Sequence, residues 1–424
     1  MAADSLKPTA RVFNPTVPAM GLHLLDVMMS GGQLDDVRRM VSTRHAALSG
    51  LGWRHTVLAP GARAAGQIDC GGVPLPGSGG YRLPLGRQRL ARLMEAARPD
   101  LIEVADPYIL AWAALQAGQR LGVPTIAFCH GNLPALAARL AGGPHGMETK
   151  RGAWAARRAQ AYLADLYSGF DLVLAPSKGM VHRLRQLGLR QVHHQPLGVD
   201  CDTFNPMAAD PVMRDQIVKR LGVAPSTRLL LYTGRFGPEK NLDLLSQAVD
   251  LLGPGHLLVA VGAGPCPPRG DRVRVMSPRT NSKHLARMLA NADLYVHAGD
   301  QEAYGLGALE AMACGLPVLL SAFDGLGELA KAGGISLTSR NPRDWAEAMA
   351  YVLDADLGAV RNAALAHAQA HDWNRVHGQM VQRYQWLVQQ DAHQRQQVGR
   401  RPALVAAIPI AARATIPASR LVGP

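Results

Sequence analysis

From residue 23 onward, short apolar runs alternate with longer segments whose apolar positions recur every three or four residues. HLLDVMM (23–29), HTVLAP (55–60), LIEVA (101–105), PTIAFCH (124–130) and DLVLAPS (171–177) are predicted strands, short and aliphatic. Helical spacing is predicted over about 34–49, 87–97 and 107–121, and again from a polar loop at 142–152 to Ser168. In the first of these, Val37, Met40, Val41, His45 and Leu48 share one side. The glycine-rich span 61–86 carries no such pattern, and at most one short strand is expected there.

PLGVDCDTFNP (196–206) is proline-bounded and aperiodic, as a linker should be, and the alternation then restarts. RLLLYTGR (228–235), HLLVAVGAG (256–264), a short run at about 273–276 and DLYVHAG (293–299) are predicted strands, with helices over 242–252 and 283–292. Strands alternating with helices of this length are βαβ units, whose strands run parallel beneath covering helices. The expected architecture is α/β, two Rossmann-like parallel-sheet domains. The boundaries expected are an arm over 1–21, a first domain over 22–200 and a second over 201–372. A helix over 373–391 and a basic tail over 392–424 complete the chain.

Composition adds the sign of the partners. The chain has 424 residues, 48% apolar and 18% charged, ample core for two such domains. Its formal net charge is +13, weighted to the first half and the tail, so anionic partners are expected. Nucleotide sugars, anionic lipid surfaces and nucleic acid all carry that sign. Only 5% of residues are aromatic and no nucleic-acid module is recognisable, which sets nucleic acid aside. The five cysteines, at 70, 129, 201, 266 and 314, show no C-x-x-C spacing and read as reduced cytoplasmic thiols. No signal peptide and no run of 18 apolar residues is evident, so any membrane contact is expected to be peripheral.

The densest chemistry lies in DQEAYGLGALEAMACGLPVLL (300–320), with Glu302 and Glu310 eight positions apart. A helix is predicted from near Gly305 to Gly315, with Pro317 beyond it. At about 100° per residue, Leu306, Leu309, Ala313 and Cys314 form its apolar stripe, and Glu310 falls inside that stripe. A carboxylate there is costly unless partners hold it. Upstream, Gly234-Arg235-Phe236 leaves a strand and Glu239-Lys240-Asn241 opens the next helix. Open α/β sheets bind ligands at the carboxyl ends of their strands, and across this loop Arg235 and Lys240 can converge on one anion. Gly262-Ala263-Gly264 follows the next strand without completing a dinucleotide fingerprint. His130 ends one strand, and Asp106-Pro107 follows another. Asp200-Cys201-Asp202 spells D-x-D but lies in the linker, and His367 and His371 lack a third ligand and read as a solvated helix face. No metal is expected.

Glu302, Tyr304, Gly305 and Glu310 resemble the E-x7-E signature of the retaining glycosyltransferases of family 4, as does the EAMACGLPV run. G-R-F-x-x-E-K-N (234–241) resembles that family's diphosphate-binding motif, and H-x-x-x-P at His130 its N-terminal motif. The resemblance covers about 22–391 and implies a GT-B fold, with the donor bound mainly by the second domain and the acceptor by the first. It implies that Arg235 and Lys240 meet the pyrophosphate, Glu302 the donor sugar, Glu310 the ribose, and His130 the transferred sugar. Tyr304, Gly305, Leu306, Gly234 and Gly262 would complete the donor site, and Asp106 would face the acceptor. Relatives carry Ser-Gly-Gly just before the first helix, where amides meet phosphate. Here Ser30-Gly31-Gly32 stands earlier, with Leu34-Asp35-Asp36 before Val37. Either the loop is re-registered and Gly31 and Gly32 still bind phosphate, or two aspartates occupy that place.

VHAGDQEAYGL and EVADPY are most similar to phosphatidylinositol mannosyltransferases and related glycolipid enzymes. This implies a GDP-mannose or UDP-hexose donor, a lipid or saccharide acceptor, and no cofactor beyond the donor itself. It also implies a cytoplasmic site of action on the inner face of an anionic membrane. The alternative is a non-catalytic GT-B relative, binding a nucleotide sugar or serving as a partner subunit.

Overall fold

The computed structural model describes residues 21–29, 36–74, 82–143, 146–277 and 281–398. Gly31, Gly32, residues 1–20 of the arm and the tail from 399 lie outside the described residues.

Each half of the chain builds one parallel sheet. In the first, β1 (His23–Val27), β2 (Arg54–Ala59), β3 (Gln67–Asp69), β6 (Leu101–Val104), β7 (Thr125–Phe128), β8 (Leu172–Ala175) and β9 (Val192–His194) lie in the order β3-β2-β1-β6-β7-β8-β9. Between β3 and β6, β4 (Val73–Pro74) and β5 (Arg82–Leu83) pair as a small antiparallel ribbon. The covering helices are α1 (Asp36–Gly50), α2 (Arg87–Ala97), α3 (Ile109–Leu121), α4 (Leu133–Gly142), α5 (Lys150–Ser168) and α6 (Lys178–Gln186). Every residue of β1, β6, β7 and β8 is buried. Burial on both faces explains why these strands read as continuous apolar runs and not as alternating ones.

The second sheet has six strands, in the order β12-β11-β10-β13-β14-β15. Its elements are α7 (Pro211–Leu221), β10 (Arg228–Thr233), α8 (Leu242–Leu252), β11 (His256–Val261), β12 (Val273–Met276), α9 (Ser282–Ala290) and β13 (Leu294–His297). After them come α10 (Leu306–Ala313), β14 (Val318–Ser321), α11 (Asp324–Gly333), β15 (Ile335–Leu337), α12 (Pro342–Asp354), α13 (Gly358–Ala370) and α14 (Trp373–Val398). The direction of strand order reverses between β1 and β6 in one sheet and between β10 and β13 in the other. Crevices at such reversals, beyond the carboxyl ends of the strands, are where open α/β sheets bind ligands. The loops carrying Asp106, Arg235 and Glu302 all leave strands at these two points.

The two halves are joined twice. Val199 in the linker accepts from the Trp373 amide at 3.0 Å and donates to His371 O at 2.9 Å, so the outgoing and returning chains run side by side. Beyond this pair α14 lies on the first domain, longer than the helical pattern predicted and reaching Val398. Its Tyr384 hydroxyl donates to Glu103, and His377 Nε2 lies 3.2 Å from Thr43 Oγ1. Glu103 belongs to a buried charge cluster in which Arg44 contacts both Asp26 and Glu103 at 2.7 Å, and His55 contacts Asp26 at 2.8 Å. Burial pushes both carboxyls up. At Asp26 the charges of Arg44 and His55 outweigh that and hold the carboxyl low, whereas at Glu103 burial prevails over Arg44.

Candidate active site

β10 ends at Thr233, and Gly234 leaves it at φ 145°, a conformation that a side chain would strain. A Cβ on Gly262 would meet Gly234 O at 2.0 Å, so the exits of β10 and β11 are packed backbone to backbone. Asn241, at the head of α8, donates to Ala298 O at 2.9 Å, and the Asp300 amide donates to Glu239 O at 3.1 Å. These bonds stitch the Arg235–Lys240 loop to the loop that follows β13.

Across that seam Lys240 Nζ donates to the Glu302 carboxylate, and the two side chains are only 12% and 14% exposed. Burial would raise the Glu302 carboxyl, but Lys240 and then His297 outweigh it and hold it below its ordinary range. His297 Nδ1 accepts from the Gly299 amide at 3.0 Å, so in the neutral ring the proton sits on Nε2, which faces Glu302 at 3.6 Å. Burial pushes His297 down to about 4, which keeps it neutral. Arg235 takes a different carboxylate, donating to Glu239 from a half-exposed position. Arg235 and Lys240 thus stand in two separate ion pairs, because Glu239, four residues on, reaches Arg235 within the loop.

Glu310 sits on α10 and is 1% exposed, inside a helix in which only Gly307 is not buried. α10 starts from Gly305 at φ 101° and presses so closely on β10 that a Cβ on Gly307 would meet Thr233 Oγ1 at 2.3 Å. The Tyr304 hydroxyl is buried with no hydrogen-bond partner among the described residues, and burial pushes its pKa up. Beside it, 6.5 Å between ring centres, lies His371, whose ring is 4.2 Å from that of His367. These two histidines are half-buried, with His367 pushed down to about 4, and do not form the solvated face their spacing suggested. α13 carries them toward the second-domain core through Ala364 and Ala368. Asp200 Oδ1 accepts from the amides of Asp202 and Thr203, so the D-x-D is a turn in the linker.

On the first domain, the His130 ring stacks on Phe128 at 4.1 Å, and its buried Nε2 has no hydrogen-bond partner among the described residues. Burial, with Arg44 adding to it, pushes His130 down to about 3, leaving a neutral imidazole. Asp106 Oδ2 accepts from the Met29 amide at 2.6 Å, tying the β6 exit to the β1 exit just ahead of Gly31.

The two faces meet directly. Arg139, on the helix that follows His130, lies 3.3 Å from Asp300, two residues before Glu302, and Arg340 meets the other Asp300 oxygen at 3.3 Å. Arg183 contacts Asp324 at 2.5 Å, and Glu328 accepts from the amides of Lys178 and Gly179 at 2.9 and 2.6 Å, capping α6 from the opposite domain. None of these cross-domain residues has a local sequence signature. His297, by contrast, stood inside a quoted motif and was legible as a polar residue at a strand end.

Two sequence profiles match the chain: Glycosyltransferase Family 4 over residues 37–203 and Glycosyl transferases group 1 over residues 213–366. A GDP-mannose-dependent alpha-mannosyltransferase of Mycobacterium tuberculosis (strain CDC 1551 / Oshkosh) is 34% identical over 56% of this chain, which spans 60% of that protein's length. A GDP-mannose-dependent alpha-(1-6)-phosphatidylinositol dimannoside mannosyltransferase of the H37Ra strain is 28% identical over 83% of this chain and 92% of its own. Among solved structures, sucrose-phosphate synthase from Thermosynechococcus elongatus superposes with a TM-score of 0.70 at 20% identity, covering 87% of this chain and all of its own. The Anabaena protein Alr3699/HepE, solved with UDP and glucose, superposes at 0.67 with 18% identity, over 85% of this chain and 98% of its own.

Proposed function

This chain belongs to glycosyltransferase family 4 and has the GT-B fold, and from that premise we propose that it moves mannose from GDP-mannose to a lipid or saccharide acceptor with retention at the anomeric carbon. The observation that carries the reading is the Lys240–Glu302 pair at the β10/β13 reversal, with the His130 face bonded across the cleft through Arg139 and Asp300. In this reading one crevice takes a cation for the diphosphate from Lys240, a carboxylate for the sugar hydroxyls from Glu302 and a neutral imidazole from His130 of the other domain. Mannose and GDP are favoured by the relatives just described.

In this reading Lys240, with Arg235 at the rim, neutralises charge building on the departing diphosphate, the kind of preorganised electrostatic help that often dominates transfer chemistry. Glu302, held ionised, accepts hydrogen bonds from donor sugar hydroxyls. Glu310 binds the ribose, and the amides opening α10 at Tyr304, Gly305 and Leu306 face sugar or phosphate oxygens. His130, uncharged, lies against the transferred sugar without competing for the diphosphate. Asp106 fixes the β1 exit so that the Gly31–Gly32 loop can be presented to the donor. The reaction needs no metal in this scheme, and the donor is the only small-molecule partner besides the acceptor.

Slow donor hydrolysis tests this without knowledge of the acceptor. The purified chain is expected to release GDP from GDP-mannose faster than Lys240→Ala does, and faster than it releases UDP from UDP-glucose. Binding of GDP-mannose with no release above the Lys240→Ala background would point to a non-catalytic nucleotide-sugar binder.

A further inference from the structure

We propose that Asp324 is a positioning residue, held in a strained backbone turn so that its carboxylate crosses the cleft and sets the His130 loop against the Glu302 loop. The proposal deepens the transferase reading above and rests on it for the effect on turnover.

Three described residues other than glycine have a positive φ: Arg98 at 48°, Asn241 at 52° and Asp324 at 50°. Arg98 ends α2, where a left-handed residue commonly closes a helix. The other two flank the site. Asn241 follows Lys240, and its side chain bonds to Ala298 O within its own domain. Asp324 opens α11, and its carboxylate reaches the opposite domain. Arg183 on α6 donates to it, and the Asn132 side chain adds a further hydrogen bond. Glycine would take this φ without strain, so a side chain held there points to a task for its carboxylate.

The backbone around Asp324 is built onto the donor side. The Gly325 amide donates to Glu302 O at 2.9 Å. A Cβ on Gly325 would meet Ala303 O and Tyr304 Cα, each at 2.5 Å, so the start of α11 lies directly on the Glu302 loop. Arg340, which pairs with Asp300, also lies over the Phe323 ring at 5.8 Å.

The far end of the contact belongs to the His130 loop. Asn132 stands two residues after His130, and its Oδ1 accepts from the Ala135 amide at 3.2 Å to cap α4. That leaves its side-chain N–H groups for Asp324. Arg183 comes from the helix after β8, the strand that pairs with β7. One carboxylate thus ties two neighbouring strand exits of the first domain to the donor loop of the second. The Asp324 side chain is only 14% exposed, which shelters the contact from screening. Such placement matters because a shift of about 1 Å between reacting groups can cost on the order of 100-fold in rate.

The test compares Asp324→Gly with Asp324→Ala in the full chain, since both lose the carboxylate but only alanine keeps the strained φ. Asp324→Gly should melt within about 3 °C of the parent, and Asp324→Ala should melt lower than Asp324→Gly. Both should bind GDP as the parent does. Both should release GDP from GDP-mannose about 10- to 100-fold more slowly, through kcat and not KM. Arg183→Ala should show part of this loss, and combining it with Asp324→Gly should cost less than the product of the two single losses. Asp324→Asn tolerates the left-handed turn and keeps an acceptor for Asn132, so it should recover part of the rate. Turnover that follows the melting temperature, normal in Asp324→Gly and low only in Asp324→Ala, would mean a purely structural role and overturn the proposal. So would turnover and GDP affinity falling together. Hydrogen exchange gives a readout that needs no turnover. Amides over 130–136 should exchange faster in Asp324→Gly than in the parent, with those of α10 unchanged. Equal exchange over 130–136 would overturn the proposal whatever the activity, whereas a parent that releases no GDP would count against the transferase reading alone.

Discussion

Lys240 and Glu302 form an ion pair that is both a structural contact and part of the proposed site, and a double-mutant cycle separates the two contributions. Their side chains are 12% and 14% exposed, so each charge depends on the other for compensation. Removing one partner of a buried pair costs about 3–5 kcal/mol, because the survivor is left uncompensated. With part of each side chain still in contact with solvent, Lys240→Ala should fall at or just below the low end, about 2–3 kcal/mol in urea unfolding. Adding Glu302→Gln removes the stranded charge, so the double variant should recover at least about 1 kcal/mol relative to the additive expectation. Activity should respond differently. Lys240→Ala forfeits a charge-assisted contact to the diphosphate, worth roughly 1.5–3 kcal/mol or about 10- to 150-fold in kcat/KM, and the second substitution should not restore it. The pH profile gives a third readout. In the parent, Lys240 holds Glu302 ionised below its ordinary range; without Lys240, burial is left to raise the carboxyl, so the acid limb of kcat/KM should move to higher pH. Coupling below about 0.5 kcal/mol in the unfolding cycle, with an unmoved acid limb, would refute the pairing.

Arg44→Met should cost about 3–5 kcal/mol, read as a lower urea midpoint, because it strands Asp26 and Glu103 in the interior beneath α14. Glu328→Ala leaves the Lys178 and Gly179 amides at the domain junction without their acceptor. It should cost roughly 1 kcal/mol and increase the radius of gyration in small-angle scattering, and an unchanged radius would assign closure to Arg139–Asp300 and Arg183–Asp324 instead. Acidification should lower stability between pH 6.5 and about 4. Burial holds His297 and His367 down to about 4 and His130 and His377 to about 3, so over this range the unfolded chain binds more protons than the folded one. A melting temperature that stays flat from pH 7 to 4.5 would contradict those burials.

Most strands and the helices between them were legible because both faces of each sheet are covered, which makes buried strands such as Leu172–Ala175 continuous apolar words. α4 and α6 were not. LPALAARLAG packs through alanine and glycine, and KGMVHRLRQ is a nine-residue helix that buries only Met180, Val181 and Leu184, too short to stand out along the chain. The Glu302–Glu310 stretch was legible because a carboxylate inside an apolar helix stripe stands out, and Glu310 is indeed buried. What the sequence could not show was pairing at long range. Arg235 and Lys240 are close in the chain, yet the structure gives them different carboxylates, one four residues away and one 62 away. The cross-domain contacts of Arg139, Arg183 and Glu328 likewise depend on how the domains meet, which no local pattern encodes.

The transferase reading is tested most directly by calorimetric titration of GDP into the parent, Glu310→Gln and Glu302→Gln, each checked by a thermal melt. If Glu310 holds the ribose and Glu302 the transferred sugar, Glu310→Gln should weaken GDP binding by roughly 1.5–3 kcal/mol while remaining folded, because it loses an ionised acceptor. Glu302→Gln should bind GDP nearly as the parent does while its turnover of GDP-mannose falls. A folded Glu310→Gln protein that binds GDP with the parent's affinity would contradict the assignment.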